Sequence, residues 1–387
     1  MKVLWLASWY PNKLNPFNGD FVRRHAQAVA PFIPITVIYV VKDENGIYTN
    51  NVKVDEYNED GLHELIVYYR SPPFKIKIFG KIFSFLKYRK VFKQVVSGHI
   101  KEKGLPDVCH VHVPMQAGMI SNWLKNKFRV PYVVTEHWCG YNHLNPDNFF
   151  SRNPVFQKGT KRIFENADIV TTVCVANQEE LTDLFQIKHS VVVSNVADIN
   201  HFFYSPSEVT SAFTFIHVST LTYQKNIEGI LEACAGLVNK TGLWKLIIVG
   251  PYTKKQVELS KQLKLDRFIE WTGELSYVEV ADHVRKASAM VMFSRFENQP
   301  CAIIEGLVSG LPVVASKVGG IPEIINEKNG ILVEPGNVAG LVNAMEKMKN
   351  EHQSYDRFGI AEDAKNKFSY EVVGEIFLKL YKQLKNN

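Results

Sequence analysis

Cysteine is scarce in this sequence of 387 residues, and long apolar segments are absent. The five cysteines stand singly, so neither a disulfide framework nor a cysteine-based zinc site is predicted. No apolar run approaches the ~20 residues that span a bilayer. The opening segment, MKVLWLASWYPN, lacks the features of a signal peptide and is typical of a first strand. We therefore expect a protein of the reducing cytoplasm.

Motifs that identify several common enzyme classes are missing as well. The sequence has no Gly-x-Gly-x-x-Gly after a strand, no P-loop and no Gly-x-Ser-x-Gly, which argues against dinucleotide oxidoreductases, P-loop NTPases and enzymes with a nucleophile elbow. It also has no Asp-x-Asp, no His-Glu-x-x-His and no local His/Cys cluster. We therefore expect neither a bound metal nor a cofactor.

Short apolar runs rich in β-branched residues predict buried strands along the whole chain. They lie at 2–8, 35–41, 108–113, 131–137, 168–174 and 190–196, and then at 213–219, 244–250, 268–273, 289–294, 312–316 and 330–335. Helix-length stretches separate most of them, including 21–30, 115–127, 227–239, 254–263, 277–286, 301–309 and 338–349. The alternation predicts βαβ units and parallel sheets covered on both faces.

The alternation occurs twice, with a polar, turn-rich boundary at 195–212. It predicts an α/β protein with two Rossmann-like domains, 1–197 and 198–370. A final segment, 371–387, has helical periodicity and is expected to dock its apolar stripe on the body of the protein. Open α/β sheets bind ligands beyond the carboxyl ends of their strands, so a ligand site is expected in a cleft between the two domains.

One segment, Lys75–Lys93, is strongly basic. It holds seven basic residues and no acidic residue, interleaved with phenylalanines. A helical wheel places Ile78, Phe79, Ile82, Phe83, Phe85 and Leu86 on one face, and Lys77, Lys81 and Ser84 opposite. Such a helix either lies on an anionic membrane surface or packs its apolar face on the domain. A nucleic-acid partner is not expected, since no recognition motif accompanies the segment.

Two glutamates, Glu297 and Glu305, stand eight positions apart in the stretch FENQPCAIIEG. Pro300 fits the first turn of a helix that Asn298 or Gln299 caps. The start of a helix suits a phosphate, and carboxylates beside it suit sugar hydroxyls. Acidic residues are also common at helix starts for dipole reasons alone, and the spacing does not decide between these interpretations.

The same region resembles the E-x7-E segment of the retaining glycosyltransferase family 4, which has the GT-B fold. The resemblance rests on SRFENQPCAIIEGLVSGLPVVASKVGGIPEIINEKNGILVEPGN and on further segments in the family's order. These segments are PDVCHVHVP, PYVVTEHW, ENADIVTTVC, VVVSNVADINHF, FIHVSTLTYQKN, WKLIIVG and FSYEVVGEIFLKLY. Together they cover almost the whole chain. The resemblance implies two domains facing a central cleft, with the C-terminal helix 371–387 returning across it to the N-terminal domain.

The resemblance also implies roles for the two glutamates and their neighbours. Glu297, with the backbone amides of Asn298 and Gln299, would contact hydroxyls of the donor sugar. Glu305 would contact the ribose of the nucleotide. Lys225 would neutralise the donor diphosphate.

In the N-terminal domain the resemblance assigns two more residues. Gly19 would let the domain approach the diphosphate or the acceptor, and His137 would lie near the reacting sugar. Each has a simpler alternative: Gly19 as a turn glycine, His137 as a hydrogen-bonded residue at a strand end, and Lys225 as a solvated loop lysine.

This chain departs from the family pattern at the donor site. Thr220 stands where the family has a diphosphate-binding arginine, so one expected cation is missing. Thr220 is still expected to bind the donor through a hydrogen bond, and Arg295 or Lys317 is a candidate to supply the charge. Asn298-Gln299-Pro300 replaces a usual Gly-Phe-Gly, which removes one backbone N–H. Val196 stands where the family usually has glycine.

The predicted activity is metal-independent transfer of a sugar, with retention, from a nucleotide diphosphate sugar to a hydroxyl acceptor. A UDP-sugar is the favoured donor, and a saccharide or lipid-linked saccharide is the expected acceptor. The expected setting is surface polysaccharide or glycolipid assembly at the cytoplasmic face of a membrane. The alternatives are a degenerate GT-B protein that binds a sugar nucleotide without turnover, for which Thr220 is the main reason, and a GT-B epimerase or phosphorylase.

Overall fold

The computed structural model describes residues 1–71, 77–206, 213–238, 240 and 243–386, with no side-chain description for residues 77–79. The strands are β1 Val3–Ala7, β2 Ile35–Lys42, β3 Val52–Glu59, β4 Leu62–Tyr69, β5 Val108–His112, β6 Tyr132–Glu136, β7 Ile169–Thr172, β8 Ser190–Val192, β9 Phe213–Val218, β10 Trp244–Val249, β11 Ile269–Gly273, β12 Ala289–Met292, β13 Val313–Ser316 and β14 Gly330–Val333. The helices are α1 Asp20–Val29, α2 Lys77–Lys103, α3 Gly118–Phe128, α4 Pro154–Asn166, α5 Val175–Leu184, α6 Ile227–Leu237, α7 Lys254–Gln262, α8 Tyr277–Lys286, α9 Cys301–Val308, α10 Ile321–Ile324, α11 Val338–Glu351, α12 Arg357–Phe368 and α13 Tyr370–Asn386.

These strands form two sheets, as predicted. The first has the order β3-β4-β2-β1-β5-β6-β7-β8, and the second has the order β11-β10-β9-β12-β13-β14. Every neighbouring pair is parallel except β3 and β4. Helices cover both faces of each sheet, which gives each sheet an apolar core on either side. The prediction of two α/β domains with parallel sheets is confirmed.

The hairpin of β3 and β4 was not among the predicted strands. Its turn uses Asp60 and Gly61, both with positive φ (45° and 82°), which matches the twist of a two-residue hairpin. β3 is the edge strand and is largely exposed, so its sequence, VKVDEYNE, alternates or is polar. A search for continuous apolar runs passes over such a strand.

The C-terminal helix α13 packs against α1 of the first domain. Its residues Val373 and Phe377 are fully buried in the same core as Trp5 of β1. Tyr381 shares a hydrogen bond of 2.5 Å with Nδ1 of His110 in β5. Gly374 permits the close approach, because a Cβ there would lie 2.1 Å from the carbonyl oxygen of Ala28.

Residues 77–93 of the basic segment form the beginning of α2, which continues ten residues beyond Lys93 to Lys103. Residues 75–76 of that segment lie outside the described residues. Tyr88 and Phe92 are buried against the domain, whereas Ile82 and Leu86 on the preceding turns are 51% and 55% exposed. The predicted wheel positions before residue 80 lie outside the described side chains. Among the described residues, no helix is both long and apolar enough to cross a membrane.

Candidate active site

The two glutamates lie in the loop and helix that follow β12, at the carboxyl edge of the second sheet. The helix, α9, begins at Cys301, and Pro300 is its N-cap residue rather than part of its first turn. No side chain caps the helix, so the prediction that Asn298 or Gln299 caps it is wrong. Both side chains reach to the opposite domain instead.

Asn298 and Gln299 join the two domains by hydrogen bonds. Asn298 Nδ2 donates to the carbonyl oxygen of His137 at 3.1 Å. The backbone N–H and the side chain of Asn195 donate to Oε1 and to the carbonyl oxygen of Gln299, both at 2.7 Å. These contacts hold the loop after β12 against the loops of the first sheet.

Glu297 and Lys225, which were predicted to contact different parts of the donor, form an ion pair. Lys225 Nζ lies 2.5 Å from Glu297 Oε1, and the two side chains are 16% and 4% exposed. Ser294 Oγ donates to the same oxygen at 2.8 Å, and Gln224 Nε2 donates to Oε2 at 2.9 Å. The carboxylate is therefore buried with donors on both oxygens, which compensates the cost of desolvating it.

A glycine pair fixes the backbone beside this carboxylate. Gly319 has φ +52°, and a Cβ there would lie 1.7 Å from the carbonyl oxygen of Glu297. The N–H of Gly320 donates to the carbonyl oxygen of Asn298 at 2.9 Å. Only a residue without a side chain permits this approach, which explains the glycines in the segment VGGIPE.

Glu305 is engaged by an arginine from the opposite domain. Arg24 of α1 donates to Glu305 Oε1, and the Tyr277 hydroxyl lies 3.3 Å from the same oxygen. Asp20 lies 2.8 Å from the other end of the guanidinium. Burial raises the pKa of Glu305, and the charge of Arg24 opposes this rise. Sequence reasoning did not identify Arg24, because nothing in α1 marks it as a partner of a residue so distant in the chain.

Two cations lie near the start of α9. Burial raises the pKa of the Cys301 thiol to about 12, and the positive charges of Arg24 and Lys225 both oppose that rise. Cys301 is the first residue of the helix, so both charges act where the helix offers free backbone N–H groups. Both cations are paired with carboxylates, Arg24 with Glu305 and Asp20 and Lys225 with Glu297, so the free N–H groups at the helix start are the feature that suits an anionic ligand here.

His137 belongs to a group of three histidines from separate elements. Its Nε2 lies 3.2 Å from Nδ1 of His112 in β5, and Nε2 of His25 in α1 donates to the carbonyl oxygen of Ser194 at 3.1 Å. Burial lowers the pKa of all three, that of His25 to about 4, so they are neutral at pH 7.

One ring nitrogen from each of these histidines lies within 4.8 Å of the others, so the group has the ligand atoms for a metal ion. The sequence shows no such cluster, because the three residues come together only in the fold. Three of the ring nitrogens already have hydrogen-bond partners in the protein: His112 Nδ1 and His137 Nε2 bond to each other, and His25 Nε2 bonds to Ser194.

Comparison with known proteins agrees with this architecture. Residues 200–365 match the family described as "Glycosyl transferases group 1", and residues 53–195 match the "Glycosyl transferase 4-like domain". The chain is 24% identical over 383 residues to the putative teichuronic acid biosynthesis glycosyltransferase TuaC of Bacillus subtilis, covering 94% of this chain and 92% of that protein. The chain is a GT-B glycosyltransferase.

Solved structures share the fold of this glycosyltransferase over its full length. Sucrose-phosphate synthase from Thermosynechococcus elongatus has a TM-score of 0.79 at 19% identity, with 99% of both chains covered. HepE of Anabaena, solved in complex with UDP, has a TM-score of 0.75 at 17% identity, with 99% of this chain and 100% of that chain covered.

In this glycosyltransferase a buried carboxyl group supports the His137 loop. Glu136, at the end of β6, accepts hydrogen bonds from the backbone N–H groups of His137 and Trp138, both at 2.8 Å. The Tyr141 hydroxyl donates to its other oxygen at 2.6 Å. Burial raises the pKa of Glu136 to about 7, although these three hydrogen bonds oppose the rise.

Glu136→Gln is expected to flatten the pH dependence of stability. The carboxyl pKa rises from 4.5 to about 7 on folding, so its contribution to stability is complete below pH 4.5 and is lost as pH rises through 7. The loss amounts to about 3 kcal/mol. Glutamine keeps a side-chain oxygen that accepts from the N–H groups of His137 and Trp138, and it does not ionise. Urea unfolding between pH 5 and 8.5 measures the effect, with surface variant Glu179→Gln as the control. An unchanged pH slope in Glu136→Gln would contradict the assignment.

Gly19 occupies a position that requires glycine. It is the N-cap of α1 with φ +66°, and a Cβ there would lie 2.6 Å from the carbonyl carbon of Trp9. Backbone conformation alone therefore explains why a glycine stands at position 19, in the loop after β1. Its predicted contact with the donor stays a prediction.

Arg295 and Lys317, the candidates to replace the family's arginine at Thr220, both have other partners in this structure. Thr220 is exposed in the loop after β9. Arg295 donates to the carbonyl oxygen of Tyr223 at 2.5 Å and lies over the Tyr223 ring. Lys317 pairs with Glu334 at 3.8 Å on the surface. Their role at the donor diphosphate stays a prediction, and Arg24 is a further arginine at the cleft.

Proposed function

We propose that this enzyme transfers a sugar from a nucleoside diphosphate sugar to a hydroxyl group of an acceptor, with retention at the anomeric carbon. The observation that carries the proposal is the buried ion pair of Lys225 and Glu297 beside the start of α9. A carboxylate suited to sugar hydroxyls thus lies next to a cation suited to a diphosphate. Both lie between the two domains, where closure excludes water.

Retention follows if the acceptor attacks from the face that the diphosphate leaves. The bond between the anomeric carbon and the diphosphate oxygen breaks, and the bond to the acceptor oxygen forms on the same face. The proton of the acceptor hydroxyl moves to the leaving diphosphate oxygen. Lys225 and the N–H groups at the start of α9 stabilise the charge that develops there. This scheme assigns no step to a metal ion.

The other site residues bind different parts of the donor. Glu305 binds the ribose, Glu297 binds the sugar, and the backbone amides of Asn298 and Gln299 assist Glu297. Gly19 and His137 face the reacting end from the first domain. A UDP-sugar is the favoured donor, because HepE, which shares the fold, was solved in complex with UDP.

The acceptor is a saccharide or a lipid-linked saccharide, and the setting is assembly of a surface polysaccharide or glycolipid. Support comes from the relative named for teichuronic acid biosynthesis, which is similar over 94% of this chain. The five cysteines are free, which fits the reducing cytoplasmic face of the membrane, where we place the reaction.

A screen of UDP-, GDP-, ADP- and CMP-sugars tests this function. We expect one donor to bind and to be consumed with a saccharide acceptor, giving a product of retained configuration. Activity should persist in EDTA, and a loss restored by a divalent ion would contradict the metal-free scheme. Binding without turnover over a broad acceptor set would favour a degenerate binding protein, for which Thr220 is the reason. Conversion of the donor alone, or transfer to phosphate, would indicate an epimerase or a phosphorylase.

The beginning of α2 is proposed as the surface that meets an anionic membrane. Exposed Ile82 and Leu86 precede a groove with a volume of about 710 Å³ on the same helix. The groove is lined by Leu86, Arg89, Lys90, Lys93, Gln94, Ser97, Gly98, Lys101 and Trp123. Apolar side chains beside four cations suit insertion among anionic headgroups.

Sedimentation with vesicles is expected to show this contact. The protein should bind phosphatidylglycerol vesicles and not phosphatidylcholine vesicles. Lys90→Glu with Lys93→Glu should weaken binding about tenfold or more, since each basic residue near the surface contributes ~1 kcal/mol. The control, Lys261→Glu with Lys347→Glu, makes the same change of charge on the second domain. Equal binding by both double variants would contradict the proposal.

A further inference from the structure

Arg24 connects the two domains through a single guanidinium group. It projects from α1 of the first domain and is only 8% exposed. One terminal nitrogen donates to Glu305 Oε1 of α9 and lies 3.2 Å from the Tyr277 hydroxyl of α8. The other donates to Asp20 at 2.8 Å, one turn earlier in α1. The guanidinium also lies 5.3 Å from the centre of the Tyr277 ring.

This arrangement is costly if its purpose is stability alone. Removing an arginine from water costs several kcal/mol, and a buried ion pair often gives less stability than apolar residues of the same volume. The Nε of Arg24 is buried without a hydrogen-bond partner among the described residues, which adds to that cost. A buried ionic contact between domains, beside a ligand cleft, therefore calls for a functional explanation.

The contact leaves half of the Glu305 carboxylate available. Arg24 and Tyr277 both approach Oε1. Within the described part of the chain, no hydrogen bond reaches Oε2. A carboxylate held by one oxygen keeps a fixed orientation, and its second oxygen can accept from the vicinal hydroxyls of a ribose. The charge of Arg24 opposes the rise that burial causes in the pKa of this carboxyl and so favours the ionised form, which accepts both hydrogen bonds.

We propose that Arg24 is a positioning residue for nucleotide binding: it orients Glu305 from the opposite domain so that the ribose is held only when both domains are together. The inference rests on the proposed function, in which Glu305 binds the ribose. It makes the first domain, and not only the second, a determinant of affinity for the nucleotide. The donor nucleotide and the closed arrangement then stabilise each other.

Calorimetric titration with the nucleoside diphosphate of the donor found in the screen, beginning with UDP, tests the inference. Arg24→Met should weaken binding about 10- to 100-fold, the usual effect of losing a charge-assisted hydrogen bond. Arg24→Lys, which keeps the charge, should recover part of the loss. The matched control is Arg23→Met, because Arg23 forms its ion pair with Glu64 inside the first domain at 2.9 Å. That variant should bind like the wild type.

A double-mutant cycle separates positioning from a general loss of structure. If Arg24 acts through Glu305, Arg24→Met and Glu305→Gln together should weaken binding hardly more than either alone. Full additivity, or unchanged or tighter binding by Arg24→Met, would overturn the inference. If Arg24→Met does not fold, Arg24→Lys replaces it in the cycle. Failure of the wild type to bind any of UDP, GDP, ADP and CMP would instead overturn the proposed function, and the inference with it.

Discussion

Replacement of Lys225 by methionine is expected to slow sugar transfer by about 10²- to 10³-fold. In the proposed reaction, negative charge grows on the leaving diphosphate, and Lys225 is the cation of the second domain that lies beside Glu297 and near the start of α9. Methionine keeps most of the apolar stem, so the main loss is the charge. The loss should appear in kcat, because the charge of the diphosphate is greater in the transition state than in the bound donor.

Steady-state kinetics with the donor and acceptor from the screen measure this effect. The matched control is Lys347→Met on α11, a surface lysine paired with Glu351 at 3.9 Å. Thermal unfolding of both variants shows whether the fold is retained. Since the change leaves Glu297 buried beside Ser294 and Gln224 only, the double variant with Glu297→Gln provides a second test without an unpaired charge. Near-normal kcat in a folded Lys225→Met protein would remove Lys225 from the site.

Glu297→Gln and Glu305→Gln are expected to damage different steps. Glu305 contacts the ribose, which does not react, so Glu305→Gln should raise KM for the donor about 10- to 100-fold with a smaller change in kcat. Glu297 holds the sugar and pairs with Lys225, so Glu297→Gln should also lower kcat, by about 100-fold. Glutamine retains the size of each side chain and removes only the charge.

Separate measurement of kcat and KM for the donor, together with the affinity for the nucleoside diphosphate, checks this division. The nucleoside diphosphate keeps the ribose but lacks the transferred sugar, so its affinity should fall with Glu305→Gln and change little with Glu297→Gln. Equal effects of the two variants on both parameters would show that the roles are wrongly divided between the carboxylates.

Much of the fold follows from local patterns. All twelve predicted strands are present, because the central strands of a parallel sheet are buried on both faces and form continuous apolar runs such as the segment VLWLA of β1, which is buried throughout. The edge strand β3 escaped this rule, since an exposed edge strand has no need of such a run. Its partner β4 was missed although it lies inside the sheet and ends in the buried apolar segment IVYY.

The candidate site, like the fold, could be predicted from the sequence only in part. The sequence places Glu297, Glu305 and Lys225 after strands, at the edge where parallel sheets bind ligands. It does not show that Lys225 and Glu297 pair with each other, nor that Asn298 and Gln299 bond to the opposite domain. Those contacts depend on how two loops meet, and loop conformation is only weakly encoded by local residue preference.

Local patterns in the sequence were enough to predict two α/β domains, a cleft between them and a pair of glutamates at a helix that opens on that cleft. Only the tertiary structure decided the partners of those glutamates. Arg24 and Glu305 are 281 positions apart, and His25, His112 and His137 come from three separate elements. The physical reason is that strands and helices are governed by periodicity over a few residues, whereas an ion pair across a cleft depends on the packing of whole domains. For Glu305 the carboxylate was predictable from the local pattern, and the arginine that pairs with it became visible only in the fold.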